Sequence, residues 1–144
     1  VLEWGGGYGN MCKVLGLVYG DLILSYTIVD LPTVTELCKQ YISNVCGEVN
    51  SIHLTIDDVE DNIESEYDLF LSTWALSESP SMWTDFMLSN LFFGANKFLI
   101  ALHQCGNHIP FMEESSKLRK ELKLFNTKEE SIDVIPGINY YVFR

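Results

Sequence analysis

The chain has 144 residues, 47% hydrophobic and 20% charged, with 20 acidic against 9 basic side chains and a formal net charge of −11. That length and composition suit one ordinary folded domain over 1–144 with a single core. An acidic chain whose densest basic run is Lys117-Leu118-Arg119-Lys120, the solvated face of a helix, is no partner for nucleic acid, because phosphate binding leans on clustered Lys and Arg.

Residues 1–4 form a short apolar strand that runs into Gly5-Gly6-Gly7-Tyr8-Gly9. A strand, a glycine-rich turn and a helix in that order make a cradle for a nucleotide-type cofactor. Side chains would hold the backbone off the ligand, and the helix's first-turn amides face its anionic part. The spacing is E-x-G-x-G-x-G through Glu3, and the last glycine of a dinucleotide fingerprint would fall on Asn10. Met11, Cys12, Val14, Leu15, Leu17 and Val18 give a helix apolar around much of its circumference, stopped by Gly20.

A second strand over 25–29 ends in Asp30, 21 residues beyond Gly9. An acid at the carboxyl end of that strand accepts hydrogen bonds from both ribose hydroxyls of a cofactor. Pro32 suits a first helical position, and Thr33 with Glu36 has capping-box spacing. Leu37, Cys38, Tyr41, Ile42 and Val45 supply that helix's apolar face, and Gly47 ends it. The alternation over 51–56 is an outer strand, with His53 a strand residue. Asp57, Asp58, Glu60, Asp61 and Glu64 follow without the spacing of a calcium loop.

The fourth strand is expected over 67–71, bounded by Ser72 and Thr73. Ser79-Pro80 opens a helix with Met82, Trp83, Phe86, Met87, Asn90 and Leu91 on one stripe. Residues 98–102 form a continuously apolar fifth strand, and a later helix faces inward through Leu118, Leu122 and Phe125. Residues 131–135 and 138–143 read as a hairpin about a tight Pro136-Gly137 turn. The expected fold is α/β: a three-layer α/β/α Rossmann-like sheet, mostly parallel, with a C-terminal antiparallel hairpin strand.

Cys12, Cys38, Cys46 and Cys105 lack C-x-x-C spacing, so reduced buried thiols, no metal site and a cytoplasmic setting are expected. Asn96 and Lys97 break the longest apolar stretch, which spans no bilayer, and no secretory signal is visible, so no membrane partner is expected.

The Glu3-to-Gly9 pattern resembles motif I of the class I methyltransferases that use S-adenosylmethionine, and the terminal hairpin resembles theirs. With Asp30-Leu31-Pro32 and the loop over 72–80, the whole chain resembles the sugar O-methyltransferase group. The resemblance implies an S-adenosylmethionine cofactor held by Glu3, Gly5, Gly6, Gly7, Gly9 and Asp30. Leu31 and Val59 would wall the adenine, Asp57 or Asp58 would meet its amine, and Ser72 and Thr73 with Trp74 would close over the transferable methyl. Glu3 would order the glycine loop near the cationic methionine end.

The implied reaction is methyl transfer to a hydroxyl of a small molecule, a sugar, and an alcohol acceptor makes a general base valuable. His103, His108 and Glu78 are the candidates. Many relatives roof the acceptor pocket with helices that precede this strand, so the chain is expected to be a core lacking an N-terminal capping segment, with a homodimer possible. A cofactor-binding but inactive fragment, or an NAD-dependent oxidoreductase, are the alternatives.

Overall fold

The computed structural model describes residues 1–45, 49–64, 66–104, 113–132 and 138–143. The chain divides into two compact units, Val1–Glu64 and Ser65–Arg144.

In the first unit the order is β1 (Leu2–Trp4), α1 (Asn10–Tyr19), β2 (Tyr26–Asp30), α2 (Pro32–Val45), β3 (Ser51–Thr55) and the single turn α3 (Val59–Asn62). β2 lies parallel between β1 (Leu2 opposite Thr27, Trp4 opposite Val29) and β3 (Tyr26 opposite Ser51, Asp30 opposite Thr55). Parallel neighbours need crossovers, which α1 and α2 supply. All of β1 and the first four residues of β2 are buried, Glu3 and Thr27 being the polar side chains among them, whereas β3 is half-buried throughout, as an outer strand should be.

Both helices depart from expectation. α1 ends at Tyr19 with Gly20 its flanking residue, as expected, but Gly20 keeps right-handed backbone angles and the chain runs on into a tighter turn at Gly20–Leu22. Cys12 alone in α1 is fully buried, while Leu17 (72% exposed) and Val18 (61%) face outward. In α2 the buried stripe is Thr35, Cys38 and Ile42, with Leu37 and Val45 exposed. Pro32 does open the helix. Its start is fixed not by a Thr33 capping box but by Asp30 and Leu31: the Leu31 amide donates to Asp30 Oδ1 and the Thr35 amide to the Leu31 carbonyl. Gly47 and Cys46 lie outside the described residues.

The second unit contains β4 (Leu69–Thr73), α4 (Ala75–Glu78), α5 (Ser81–Ser89), β5 (Lys97–Gln104), α6 (Glu113–Lys123), β6 (Lys128–Ser131) and β7 (Ile138–Phe143). β4 and β5 are parallel, and β7 runs antiparallel to both β5 and β6. β4 starts two residues later than the sequence indicates, because the Tyr67 amide is taken by the Phe93 carbonyl rather than by the ladder. Ser72 and Thr73 therefore lie inside the strand instead of bounding it.

The terminal hairpin is antiparallel as expected, but in another register. A two-residue turn at Pro136-Gly137 would set Ser131 opposite Val142, whereas Ser131 faces Tyr140. The turn residues themselves lie outside the described residues.

Ser79 does not cap α5; its hydroxyl donates back to the Ala75 carbonyl, and Pro80 is the flanking residue. α5 buries Thr84 and Met87 and leaves Met82 exposed, and it ends at Ser89. Instead of extending its stripe, the chain enters four consecutive residues of positive φ, Leu91 to Gly94. Phe92, with ring centroids 5.0 Å from Phe70, 4.8 Å from Phe98 and 5.4 Å from Phe125, anchors that segment in the core. On α6 the basic run is a solvated face: Lys117 pairs with Asp85 at 2.8 Å, and Arg119 pairs with Glu129. Among the described residues no helix is long and apolar enough to cross a membrane.

Candidate functional site

The glycine loop joins β1 to α1. Gly5, Gly7 and Gly9 have φ of 74°, 56° and 94°, angles that other residues adopt only at a cost. Gly6 is required for space, since an added Cβ would fall 2.5 Å from Ile28 Cγ2.

The loop's amides are largely engaged within the fold. Gly5 N donates to the Val29 carbonyl at 2.8 Å, Gly9 N to the Gly6 carbonyl at 3.0 Å, and Gly7 N to Asp30 Oδ2 at 2.7 Å. The Gly5 and Gly7 amides thus already have acceptors within the first unit. What the loop offers outward is clearance: a Cβ on Gly7 would meet nothing within 4 Å. Gly9 also leaves α1 without a side-chain cap at the positive end of the helix dipole.

Asp30 is half-buried at the carboxyl end of β2 and braces the loop. One oxygen accepts from Gly7 N and the other from Leu31 N, both at 2.7 Å. An ionised carboxylate has about four acceptor sites, so two remain for hydroxyls of a ligand. Leu31 beside it is 52% exposed, an apolar surface at a polar corner.

Asp57 and Asp58 follow β3, and Ile56 N donates to the Asp30 carbonyl at 3.0 Å, which brings this turn beside the end of β2. Both aspartates are exposed, with Asp58 Oδ2 accepting from Thr55 Oγ1 at 2.6 Å. Val59, expected as an adenine wall, has no exposure at all and belongs to the core. Gly5, Gly7, Asp30 and the Thr55–Asp58 turn thus share the carboxyl end of the three strands, where open α/β sheets bind ligands.

Beneath the loop lies Glu3, 1% exposed. Its Oε2 accepts from the Tyr26 hydroxyl at 2.9 Å and would sit 3.2 Å from a Cβ on Gly6. Burial pushes its carboxyl up to about 7; the Tyr26 hydrogen bond opposes the rise, and the negative charge of Asp30 adds to it. Burial and the neighbouring Glu3 hold the Tyr26 phenol neutral. Burial, then Glu3 and Asp30, raises the Cys38 thiol to about 11, which makes it unreactive. Cys12 and Cys38 are both fully buried.

Sequence reasoning passed over Tyr26, whose role depends on strand register. It also passed over the cluster beside the loop in which Tyr8, 50% exposed, meets Tyr41 edge-on at 5.2 Å and Lys13 donates to Tyr41 Oη at 3.2 Å. An aromatic between two loop glycines was the available signal. His53 is a strand residue as expected, half-buried, with Nε2 3.0 Å from Ser51 Oγ; burial and then Lys39 lower its pKa.

In the second unit, Ser72 is fully buried and its hydroxyl has no partner among the described residues, while Thr73 is half-buried. Trp74 follows with φ 66°, a conformation costly for a bulky side chain. It is held there from both sides: its amide donates to the Ala101 carbonyl at 2.8 Å, and its carbonyl accepts from Ser77 N, Ser77 Oγ and Glu78 N. Glu78 is exposed at the end of α4. His103 lies in β5 opposite Asn139, two residues beyond the Ala101 that pairs with Thr73. His108 and Cys105 lie outside the described residues. Cavities of about 480 Å³ open at the far end of α1, around Gly16 to Leu22 and Val49, and before β4, around Glu66 to Asp68; neither touches the residues above.

The class that the architecture defines is the Rossmann-like methyltransferase fold, a mostly parallel sheet with flanking helices and an antiparallel close. Three solved structures illustrate the likeness, each matching 99% of this chain. The methyltransferase domain of bacterial CtHen1-C has 14% identity and a TM-score of 0.71, with 86% of that chain covered. Magnesium protoporphyrin IX methyltransferase from Synechocystis, solved with bound SAM, has 14% identity and a TM-score of 0.69, with 67% covered. Mitomycin 7-O-methyltransferase has 14% identity and a TM-score of 0.67; this chain spans about half of it, 48%. No family model and no curated protein matches the sequence.

Proposed function

We propose that residues 1–144 act as one S-adenosylmethionine-binding core and that the protein transfers a methyl group to a hydroxyl of a small molecule, a sugar being the acceptor its sequence resemblance indicates. The observation that carries the reading is Asp30: it bridges the glycine loop and the second strand through Gly7 and still has acceptor sites to spare. The residues fit the cofactor. The loop is clear of side chains above Gly7, and Asp30 would take the ribose hydroxyls. Leu31 would pack on the adenine, and Asp57 or Asp58 would accept from its amine. Solved methyltransferases of the same fold, one with SAM bound, support the assignment.

When bound, the cofactor supplies an electrophilic methyl group on a sulfonium, and in-line displacement needs chiefly alignment of donor and acceptor. The chain's task is to hold the adenosyl end still and exclude water, with Ser72 and Thr73 at the end of β4 and Trp74 just after it closing over the transferable methyl. A proton must leave the acceptor hydroxyl, and His103, His108 or Glu78 would receive it.

Calorimetric titration with S-adenosylhomocysteine and with NADH tests the reading. Heat with the former and none with the latter is expected; the reverse establishes an oxidoreductase and sinks the proposal. Asp30→Ala should weaken S-adenosylhomocysteine by about 2 to 4 kcal/mol, two charge-assisted hydrogen bonds, and unchanged affinity removes Asp30 from the site. Binding without transfer to any sugar or other alcohol acceptor would favour the inactive-core alternative.

A further inference from the structure

We propose that Tyr8 is a positioning residue for the bound cofactor: packed edge-on against Tyr41, which Lys13 holds, it latches the glycine loop onto α2 and fixes the shape on which the ligand rests. The inference rests on the cofactor reading above and adds to it a residue that acts through the loop rather than on the ligand.

Between Gly5 and Gly9 the loop carries one side chain, that of Tyr8. Glycine loses more conformational freedom on ordering than any other residue, and Gly5, Gly7 and Gly9 all hold positive φ, so this shape is costly to keep. Backbone bonds tie Gly5 to β2 and Gly7 to Asp30, while Gly9 N donates to Gly6 within the loop itself. The far end of the loop is held from α2, where Cys38, Tyr41 and Ile42 fall on one helical face. A Cβ on Gly9 would come 2.8 Å from Ile42 Cδ1 and 2.9 Å from Cys38 Sγ, so the backbone there is seated directly on that face.

Tyr8 completes the seat. Its ring meets that of Tyr41 with centroids 5.2 Å apart and planes at 87°, an edge-on geometry that aromatic pairs favour. Tyr41 is fixed in turn by Lys13, whose Nζ donates to Tyr41 Oη at 3.2 Å and lies 5.7 Å from the ring centroid. The Lys13 amide donates to the Gly9 carbonyl at 3.0 Å, so loop, α1 and α2 meet in one cluster. Released from it, the loop samples shapes that do not fit the ligand, and apparent affinity falls with the fraction of time the fitting shape is lost.

The test has two arms, both on the 144-residue chain. In the free protein, residue-resolved amide exchange should show Gly7 and Gly9 exchanging about threefold to tenfold faster in Tyr8→Ala than in wild type, the range an edge-on aromatic pair can hold. The amides of Ile28 and Val29 in the core should be unchanged, which separates release of the loop from loss of the fold. Affinity for S-adenosylhomocysteine, measured by calorimetry, should fall by a similar factor in Tyr8→Ala and in Tyr41→Ala, and stay within about twofold of wild type in Tyr8→Phe, which keeps the ring. With Tyr41 already replaced by alanine, Tyr8→Ala should cost nothing further. Unchanged exchange at Gly7 and Gly9 overturns the inference while the cofactor reading stands. So does a Tyr8→Ala loss of equal size with and without Tyr41, which makes Tyr8 a direct ligand contact. Failure of S-adenosylhomocysteine to bind the wild-type chain removes the cofactor reading and this inference together.

Discussion

Glu3 costs the protein stability at alkaline pH, and the sign of that cost can be measured. Its folded pKa of about 7 lies above the ordinary 4.5, so the native state holds the proton more tightly than the unfolded chain does. Its contribution is intact below pH 4.5, is lost as pH rises through 7, and is constant beyond. The shift amounts to about 3 kcal/mol. Urea unfolding of wild type and Glu3→Gln should give nearly equal stabilities at pH 4.5, with the variant ahead by about 2 to 3 kcal/mol at pH 8. Parallel pH profiles for the two proteins would show that Glu3 is ionised without penalty.

At the scale of elements, the segment Leu91 to Gly94 stores local strain that the core repays. Left-handed angles cost an L-residue about 1 to 2 kcal/mol, yet Leu91, Phe92 and Phe93 all adopt them. Phe92 sits among Phe70, Phe98 and Phe125 with no exposure, whereas Leu91 is 62% exposed and contributes little burial in return. Leu91→Gly should therefore leave stability unchanged or raise it by about 0.5 kcal/mol, while Phe92→Ala should cost about 3 to 5 kcal/mol. A clear loss in Leu91→Gly on thermal unfolding would mean that the turn is held by Leu91 itself.

The same contrast shows what could be read from the chain. Local signals were sufficient for the glycine loop, for Asp30 at a strand end and for Pro32 at a helix start, since each follows from residue type at short spacing. The left-handed turn, the later start of β4 and the Glu3–Tyr26 pair depend on partners more than twenty residues away, and no window along the sequence contains both members. The amide of Gly7 is the instructive case. Residue type marked the loop as a cradle, but the tertiary bond to Asp30 decides which of its groups face a ligand.

For the molecule as a whole, net charge and apolar exposure act against each other. Leu17, Val18, Tyr19, Leu22 and Leu24 are 53 to 88% exposed within eight residues of sequence, an apolar surface of the kind that drives association. A formal charge of −11 on 144 residues opposes the approach of two copies. At about 0.01 M ionic strength the Debye length is near 30 Å and repulsion spans the molecule, whereas at about 1 M it falls to about 3 Å and the apolar contact is unopposed. Sedimentation velocity of the 144-residue chain should accordingly show a monomer at low salt and concentration-dependent association as sodium chloride rises. The double change Leu17→Ser with Leu22→Ser should suppress that association with little loss of unfolding stability, because both side chains already face water. Association that weakens with salt, or that survives the double change, would assign it to ion pairs or to another surface.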